Sequence, residues 1–167
     1  MRKIIVIIFI LLFLYTFKND EYNITEDSIR FRVIANSNSP KDIEMKEKVV
    51  ERLSKNIFID GNKEQIEDNI YNNLKSIEDE IDLLFRKNNY KQVFNISYGL
   101  NEIPQKKYRG KVYKKGIYKS LIIEIGEGKG NNYFCILYPS LCLKDYEESK
   151  ENKEVKFKII EIIKKVF

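Results

Sequence analysis

The stretch from residue 122 to residue 143 restricts the fold more than any other, because two apolar runs flank a glycine-rich turn. Gly126, Gly128 and Gly130 fall within five residues of that turn. Glycine adopts positive φ without the steric cost of a Cβ, and tight reversals between adjoining strands need this freedom. We therefore predict that these three glycines form the structural turn at the tip of a β-hairpin.

The only two cysteines of the chain, Cys135 and Cys142, follow this turn and are separated by six residues that include Pro139. A redox pair typically has two intervening residues and an activating neighbour, and the chain contains no histidine. In an exported domain such a pair favours a structural disulfide, here closing a short loop and contributing roughly 2 to 3 kcal/mol. The sequence predicts a disulfide-closed loop that lies side by side with the glycine turn.

The N-terminus has the pattern of an export signal: Arg2 and Lys3 precede the fourteen uncharged residues 4–17. This run is shorter than the roughly 20 residues of a typical membrane-spanning helix, yet no pair of small residues marks a cleavage site. Residues 1–17 are therefore either a signal peptide or an uncleaved membrane anchor, and residues 18–28 form a polar tether. Both readings place a single domain, residues 29–167, outside the cytoplasm.

The rest of the chain alternates like strands in some segments and has helical periodicity in others. Residues 29–35 predict a half-buried strand that carries Arg30 and Arg32 on its polar face. Ser39, Pro40 and Asp42 have the pattern of a helix start. The first expected helix spans 40–56 and buries Ile43, Val50, Leu53 and Ile57. The second spans about 66–85 after a cap at Asn62 and Gln65, and its apolar residues fall at three- and four-residue spacing: Ile66, Ile70, Leu74, Ile77, Ile81, Leu84 and Phe85. A third is expected at 154–167. Further strands are expected at 92–98, 118–125 and 133–138, with Tyr90 ending the second helix and a short strand around Val112.

These elements predict an α+β fold: a small, mostly antiparallel sheet of about four strands, covered by two long helices and the C-terminal helix. Residues 133–138 are apolar on both faces, which is typical of a central strand. The order of the strands stays open.

The composition excludes most catalytic and cofactor sites. Without histidine the chain lacks His-based general bases, Cys-His pairs and nearly all zinc sites. The glycine turn is not a Walker phosphate loop, which needs four residues between its glycines and a Ser or Thr after its Lys. We expect no catalytic residues, no metal site and no cofactor.

Charge gives little support for a nucleic-acid partner. The net charge is +5, and basic and acidic residues are interleaved through most of the sequence. A single basic cluster lies between residues 101 and 116, and it is either a solvated loop or a contact for an acidic partner or an anionic membrane surface. Its members are Lys106, Lys107, Arg109, Lys111, Lys114 and Lys115.

Two motifs carry a resemblance to a known family. The first is IRFRVIANSNS at residues 29–39, followed by a helix, and the second is GIYKSLIIEIGEGKGNNYFCILYPSLC at residues 116–142. In this order and at this separation they resemble stage II sporulation protein R of endospore-forming bacteria. The resemblance implies a protein made in the forespore and exported into the space between the two membranes. There it would trigger the membrane-bound aspartic peptidase that processes pro-sigma-E.

We therefore expect an exported signal protein, not an enzyme, that binds the extracytoplasmic portion of that peptidase and contacts the membrane through its N-terminal segment. Polar turns held by a rigid sheet are the expected contact surface. The candidate partner-binding residues are Arg30, Arg32, Asn36, Ser37, Asn38, Glu127, Lys129, Tyr138 and Pro139. The alternative is an exported cell-envelope hydrolase that uses carboxylates such as Asp79, Asp82 or Glu127.

Overall fold

The computed structural model describes residues 27–108 and 111–145. The predicted signal or anchor at 1–17, all but the last two residues of the tether, and the predicted C-terminal helix at 154–167 lie outside the described residues. Within the described ranges, no helix is both long enough and apolar enough to cross a membrane.

A four-stranded sheet is the centre of the domain. Its strands are β1 (Ile29–Ile34), β2 (Phe94–Ile103), β5 (Gly116–Ile125) and β6 (Asn132–Tyr138), in the spatial order β2-β5-β1-β6. β1 is parallel to β5, whereas β2 is antiparallel to β5 and β6 is antiparallel to β1. The short strands β3 (Lys106–Tyr108) and β4 (Lys111–Tyr113) pair separately. The predicted α+β class and the mostly antiparallel sheet are confirmed, as is a short strand around Val112.

Two long helices, α1 (Pro40–Ile57) and α2 (Lys63–Lys87), follow β1 and begin at the predicted caps. At α1, the Ser39 hydroxyl accepts a 3.2 Å hydrogen bond from the main-chain N–H of Asp42. At α2, Asn62 and Gln65 accept each other's main-chain N–H groups at 2.9 and 3.0 Å. Each bond satisfies an N–H that the first helical turn would otherwise leave unpaired.

The helices cover one face of the sheet. α2 buries five members of the predicted stripe, Ile66, Ile70, Ile77, Ile81 and Phe85, whereas Leu74 and Leu84 are only partly buried. α1 buries Leu53 and Ile57, but Ile43 and Val50 are only partly buried, and Met45 and Val49 take the core positions instead. The sheet contributes alternate residues, which include Phe31, Val33, Leu121 and Ile123, all fully buried.

The predicted hairpin between the two apolar runs is wrong. β5 and β6 do not pair with each other, because β1 lies between them and bonds to both. The glycine turn therefore passes over the end of β1 instead of closing a hairpin.

The predicted central position of β6 is also wrong, since β6 lies at the edge of the sheet. Its second face is nonetheless covered, because β3 and β4 pack against it. The ring of Phe134 lies 5.8 Å from that of Tyr108, and Ile136 is fully buried beside Tyr113. Burial on both faces, not a central place, explains the apolar sequence of this strand.

Candidate functional site

Two of the predicted recognition turns meet at one end of the sheet. β1 and β5 are parallel, and Ile34 pairs with Glu124 near the ends of both strands. The chain therefore leaves both strands at the same end of the sheet. Residues 36–39 follow β1 and residues 126–131 follow β5, and we call these two segments the paired turns.

Asn36 forms the main connection between the paired turns. Its side-chain Oδ1 accepts a 3.0 Å hydrogen bond from the main-chain N–H of Glu127. Its main-chain carbonyl accepts another, 3.1 Å long, from the N–H of Lys129. A third bond joins the segments, from the N–H of Asn131 to Oδ1 of Asn38 at 2.7 Å, and the N–H of Gly130 donates to the carbonyl of Ala35, just before the first segment, at 2.9 Å.

The glycines of the second turn are required by this close approach. Gly126 has φ of +57°, and a Cβ built on it would lie 2.2 Å from Oδ1 of Asn36. A Cβ on Gly130 would lie 2.3 Å from the carbonyl oxygen of Ser37. Gly128 has φ of +61°. The glycine-rich sequence thus permits two segments of the chain to lie in close contact, a role that glycine alone can fill.

Asp42 anchors the paired turns to the helices from below. Its Oδ2 accepts hydrogen bonds from the Ser37 hydroxyl at 2.6 Å and from Nδ2 of Asn36 at 2.9 Å. Its Oδ1 accepts a 2.6 Å bond from the hydroxyl of Tyr90, which follows α2. Asp42 as a whole is 7% exposed. One buried acid therefore joins the first turn, the start of α1 and the end of α2.

These bonds change the acidity of both partners. The hydrogen bonds from Ser37 and Tyr90, with smaller contributions from Asn36 and Ser39, lower the pKa of Asp42 to about 2. Burial, together with the bond to Asp42, raises the pKa of Tyr90. Asp42 is therefore ionised and Tyr90 protonated across the neutral pH range.

The outer surface of the paired turns is polar and exposed. The carboxylate of Glu127 and Nζ of Lys129 form a 2.7 Å ion pair, with side chains 68% and 74% exposed. Asn38 is exposed beside them, while Asn36 and Ser37 are partly buried. A partner that approached this end would meet Asn38, Glu127 and Lys129 first.

The disulfide loop lies at the other end of the sheet. Cys135 and Cys142 are bonded, with their Cα atoms 5.5 Å apart. In the pairing of β1 with β6, Ile34 faces Asn132 next to the glycine turn, whereas Ile29 faces Tyr138 next to the loop. The prediction that turn and loop lie side by side is wrong, because the length of β6 separates them. Tyr138 and Pro139 are partly buried in this loop.

Arg30 and Arg32 do not reach the paired turns. Both lie on the face of the sheet opposite the helices. This face was expected to be open to solvent, but at Arg30 it is covered, because the side chain is only 2% exposed. The guanidinium carbon of Arg30 stacks 3.2 Å from the centre of the Tyr118 ring, and burial lowers its pKa. Nη1 of Arg30 and Nε of Arg32 are buried without a hydrogen-bond partner in the described part of the chain.

The carboxylates of the hydrolase alternative are not gathered into one site. Asp79 is paired with Lys75 and Asp82 with Arg86 on the exposed surface of α2, whereas Glu127 lies in the paired turns. Across the described ranges, no group of three metal-ligating side chains could hold a metal ion. No observation favours hydrolysis over recognition.

The sequence pattern missed the connecting roles of Asp42 and Tyr90. The pattern places Asp42 at a helix start and Tyr90 at the end of α2, and it indicates no bond between them. The available signal was an acidic residue in the first helical turn, close behind Asn36 and Ser37, whose side chains carry hydrogen-bond donors.

Comparison with known proteins gives two matches. A family model described as stage II sporulation protein R matches residues 25–148. The protein named stage II sporulation protein R from Bacillus subtilis (strain 168) is 28% identical over 141 residues, which cover 82% of this chain and 63% of that relative. This chain thus spans less than two thirds of the relative's length. No solved structure matches.

Proposed function

The chain belongs to the stage II sporulation protein R family, and from this premise we propose that it is an exported protein ligand that activates a membrane-embedded aspartic peptidase. The peptidase is the one that processes pro-sigma-E during endospore formation. The ligand is made in the forespore and acts in the space between the two membranes, where its N-terminal segment either is removed or holds it at the membrane. The paired turns are its contact surface for the extracytoplasmic portion of the peptidase.

The observation that supports this proposal is the rigid polar surface of the paired turns. Three hydrogen bonds join two segments that are far apart in the chain, and Asp42 fixes them to both helices. Loops held by a rigid scaffold are common recognition sites, because little conformational entropy is lost when they bind. The exposed side chains of Asn38, Glu127 and Lys129 then supply specific contacts.

Complementation of a deletion strain tests the proposal. A strain that lacks the gene should divide asymmetrically but leave pro-sigma-E uncleaved on an immunoblot, and expression of the wild-type chain in the forespore should restore cleavage. Expression in the mother cell alone should not. Normal processing in the deletion strain would contradict the proposed function.

A paired substitution tests the contact surface. Glu127→Ala with Lys129→Ala removes two exposed side chains without touching the bonds that join the turns, so the protein should accumulate normally but support little cleavage. Glu44→Ala with Lys48→Ala is the control: it removes an ion pair on α1 whose side chains are 64% and 39% exposed, together with the bond from Lys48 to Asn88. Equal processing with both double variants would exclude the paired turns as the contact surface while leaving the signalling role intact.

A further inference from the structure

β2 is an edge strand without the usual protection of an edge. It is ten residues long, and among the described residues β5 alone pairs with it. Exposed edges in natural proteins usually carry lysine, proline or a bulge, which prevent pairing with another chain. β2 contains no lysine, arginine or proline, and Glu102 is its only charged residue. This strand is therefore suited to accept another strand along its outer side.

Exposed apolar side chains accompany this edge. Leu100 is 73% exposed on β2, and Tyr71 is 71% exposed on α2, one helical turn from Lys75. Lys75 in turn borders a groove of about 340 Å³ between α2 and β2, whose walls include Ile96 and Tyr98. An exposed leucine on an unpaired strand edge, beside a groove with apolar walls, gives this edge an apolar surface for another chain to cover.

We propose that a second copy of this chain covers the edge, with the two β2 strands antiparallel about a two-fold axis at Tyr98. The dimer would contain one continuous eight-stranded sheet, twice the four strands of one chain. This inference does not depend on the proposed function.

The sequence of β2 is self-complementary in this register. Side chains alternate along a strand, so the helices of both copies lie on the same side of the sheet only when residues of like parity face each other. With Tyr98 of one copy opposite Tyr98 of the other, Ile96 faces Leu100 on the helix side. Leu100 of each copy is then covered by the other copy. On the other side, Asn95 faces Asn101 and Ser97 faces Gly99.

Charge does not oppose the pairing. The side chains that line the grooves between α2 and the β2 edge comprise three anions and three cations, so two copies would approach without net repulsion. The anions are Glu78, Asp79 and Asp82, and the cations are Lys75, Arg86 and Lys91. Glu102, which would face Phe94 at either end of the paired strands, already pairs with Lys115 at 2.6 Å. A balanced surface suits a copy of itself better than a strongly charged segment of another protein.

Cysteine cross-linking of the full chain tests the register. Two differently tagged copies, one with Ile96→Cys and one with Leu100→Cys, are coexpressed, oxidised and separated on a non-reducing gel. The proposal predicts a heterodimer containing both tags. Leu100→Cys alone should not cross-link, because two copies of residue 100 would lie roughly 13 Å apart along the strand. In the control, Val112→Cys, at an exposed position of β4, takes the place of Leu100→Cys and should give no product with Ile96→Cys.

The mass of the detergent-solubilised full chain, measured by light scattering with the detergent contribution subtracted, gives the second readout. The wild-type chain should have twice the mass of one chain, which is 19.9 kDa for the full sequence. Leu100→Lys should reduce it to that of one chain, whereas Val112→Lys should leave it unchanged. A monomeric wild-type chain, cross-linking that is equal in all variants, or a cross-link to a different protein would overturn the proposal.

Discussion

Asn36 and Glu127, which lie 91 residues apart in the chain, are joined by a 3.0 Å hydrogen bond from the main-chain N–H of Glu127 to Oδ1 of Asn36. The same side chain donates through Nδ2 to Asp42 at 2.9 Å. A single asparagine thus connects the turn after β5 to the start of α1. The position of the proposed contact surface depends on this side chain more than on the surface residues themselves.

Replacing Asn36 by alanine should destabilise the protein. The substitution leaves the N–H of Glu127 without its acceptor and removes one donor from the buried carboxylate of Asp42, so we expect a loss of about 1 to 3 kcal/mol in the free energy of unfolding. Urea denaturation measures the loss. Asn72→Ala, at an exposed position of α2, is the control and should change stability by less than about 0.5 kcal/mol. Equal effects of the two substitutions would contradict the connecting role of Asn36.

The cost of a side chain at Gly126 should depend on the residue at position 36. Gly126→Ala introduces a Cβ at positive φ, which costs about 1 to 2 kcal/mol, and it also places that Cβ against Oδ1 of Asn36. In an Asn36→Ala background most of the steric cost is gone, because Oδ1 of residue 36 is absent. A double-mutant cycle by urea denaturation should therefore show a smaller cost of Gly126→Ala in that background, with a coupling of about 0.5 to 3 kcal/mol. Additive effects would show that backbone conformation alone requires the glycine.

Asp42 should make the stability of the protein sensitive to acid. The pKa of its carboxyl is about 2 in the folded state, below its ordinary value of 3.8. Because the folded value is the lower one, the ionised carboxylate stabilises the fold above about pH 5, and this contribution is lost as the pH falls from about 4 through about 2. The difference between the two pKa values corresponds to about 2 kcal/mol.

Urea denaturation at several pH values measures this contribution. Asp42→Asn should be less stable than the wild type at pH 7 and should lose less further stability on acidification. Asp82→Asn, which removes an exposed carboxylate paired with Arg86, should leave the slope with pH close to that of the wild type. An unchanged slope in Asp42→Asn would show that other groups cause the acid sensitivity.

Local patterns in the sequence predicted the local structure well. The caps at Ser39 and Asn62 and the stripe from Ile66 to Phe85 depend on neighbours within one or two helical turns, so residue spacing carries the information. The alternation of residues 29–35 likewise predicted which side chains of β1 face the helices. These features position the paired turns relative to the helices.

Strand pairing could not be predicted in the same way. The apolar runs that flank the glycine turn could form a hairpin or two strands separated by β1, and their sequence does not distinguish the two. The arrangement depends on contacts between residues about 90 positions apart, such as Val33 with Ile123. The burial of Arg30 was missed for a related reason. Alternation predicts a second face of the strand but not that Tyr113, on the distant strand β4, covers it.

Arg30 should contribute to stability through its aliphatic stem and planar head rather than through its charge. The side chain is 2% exposed and stacks on Tyr118, and within the described ranges it has no carboxylate partner. Arg30→Met keeps most of the packing and removes a desolvated charge, so we expect a change of less than about 1.5 kcal/mol of either sign. Arg30→Ala leaves a cavity against Tyr118 and Phe134 and should cost about 2 to 4 kcal/mol. Urea denaturation of both variants separates the two contributions, because an equal loss would show that the guanidinium itself holds β4 over this face.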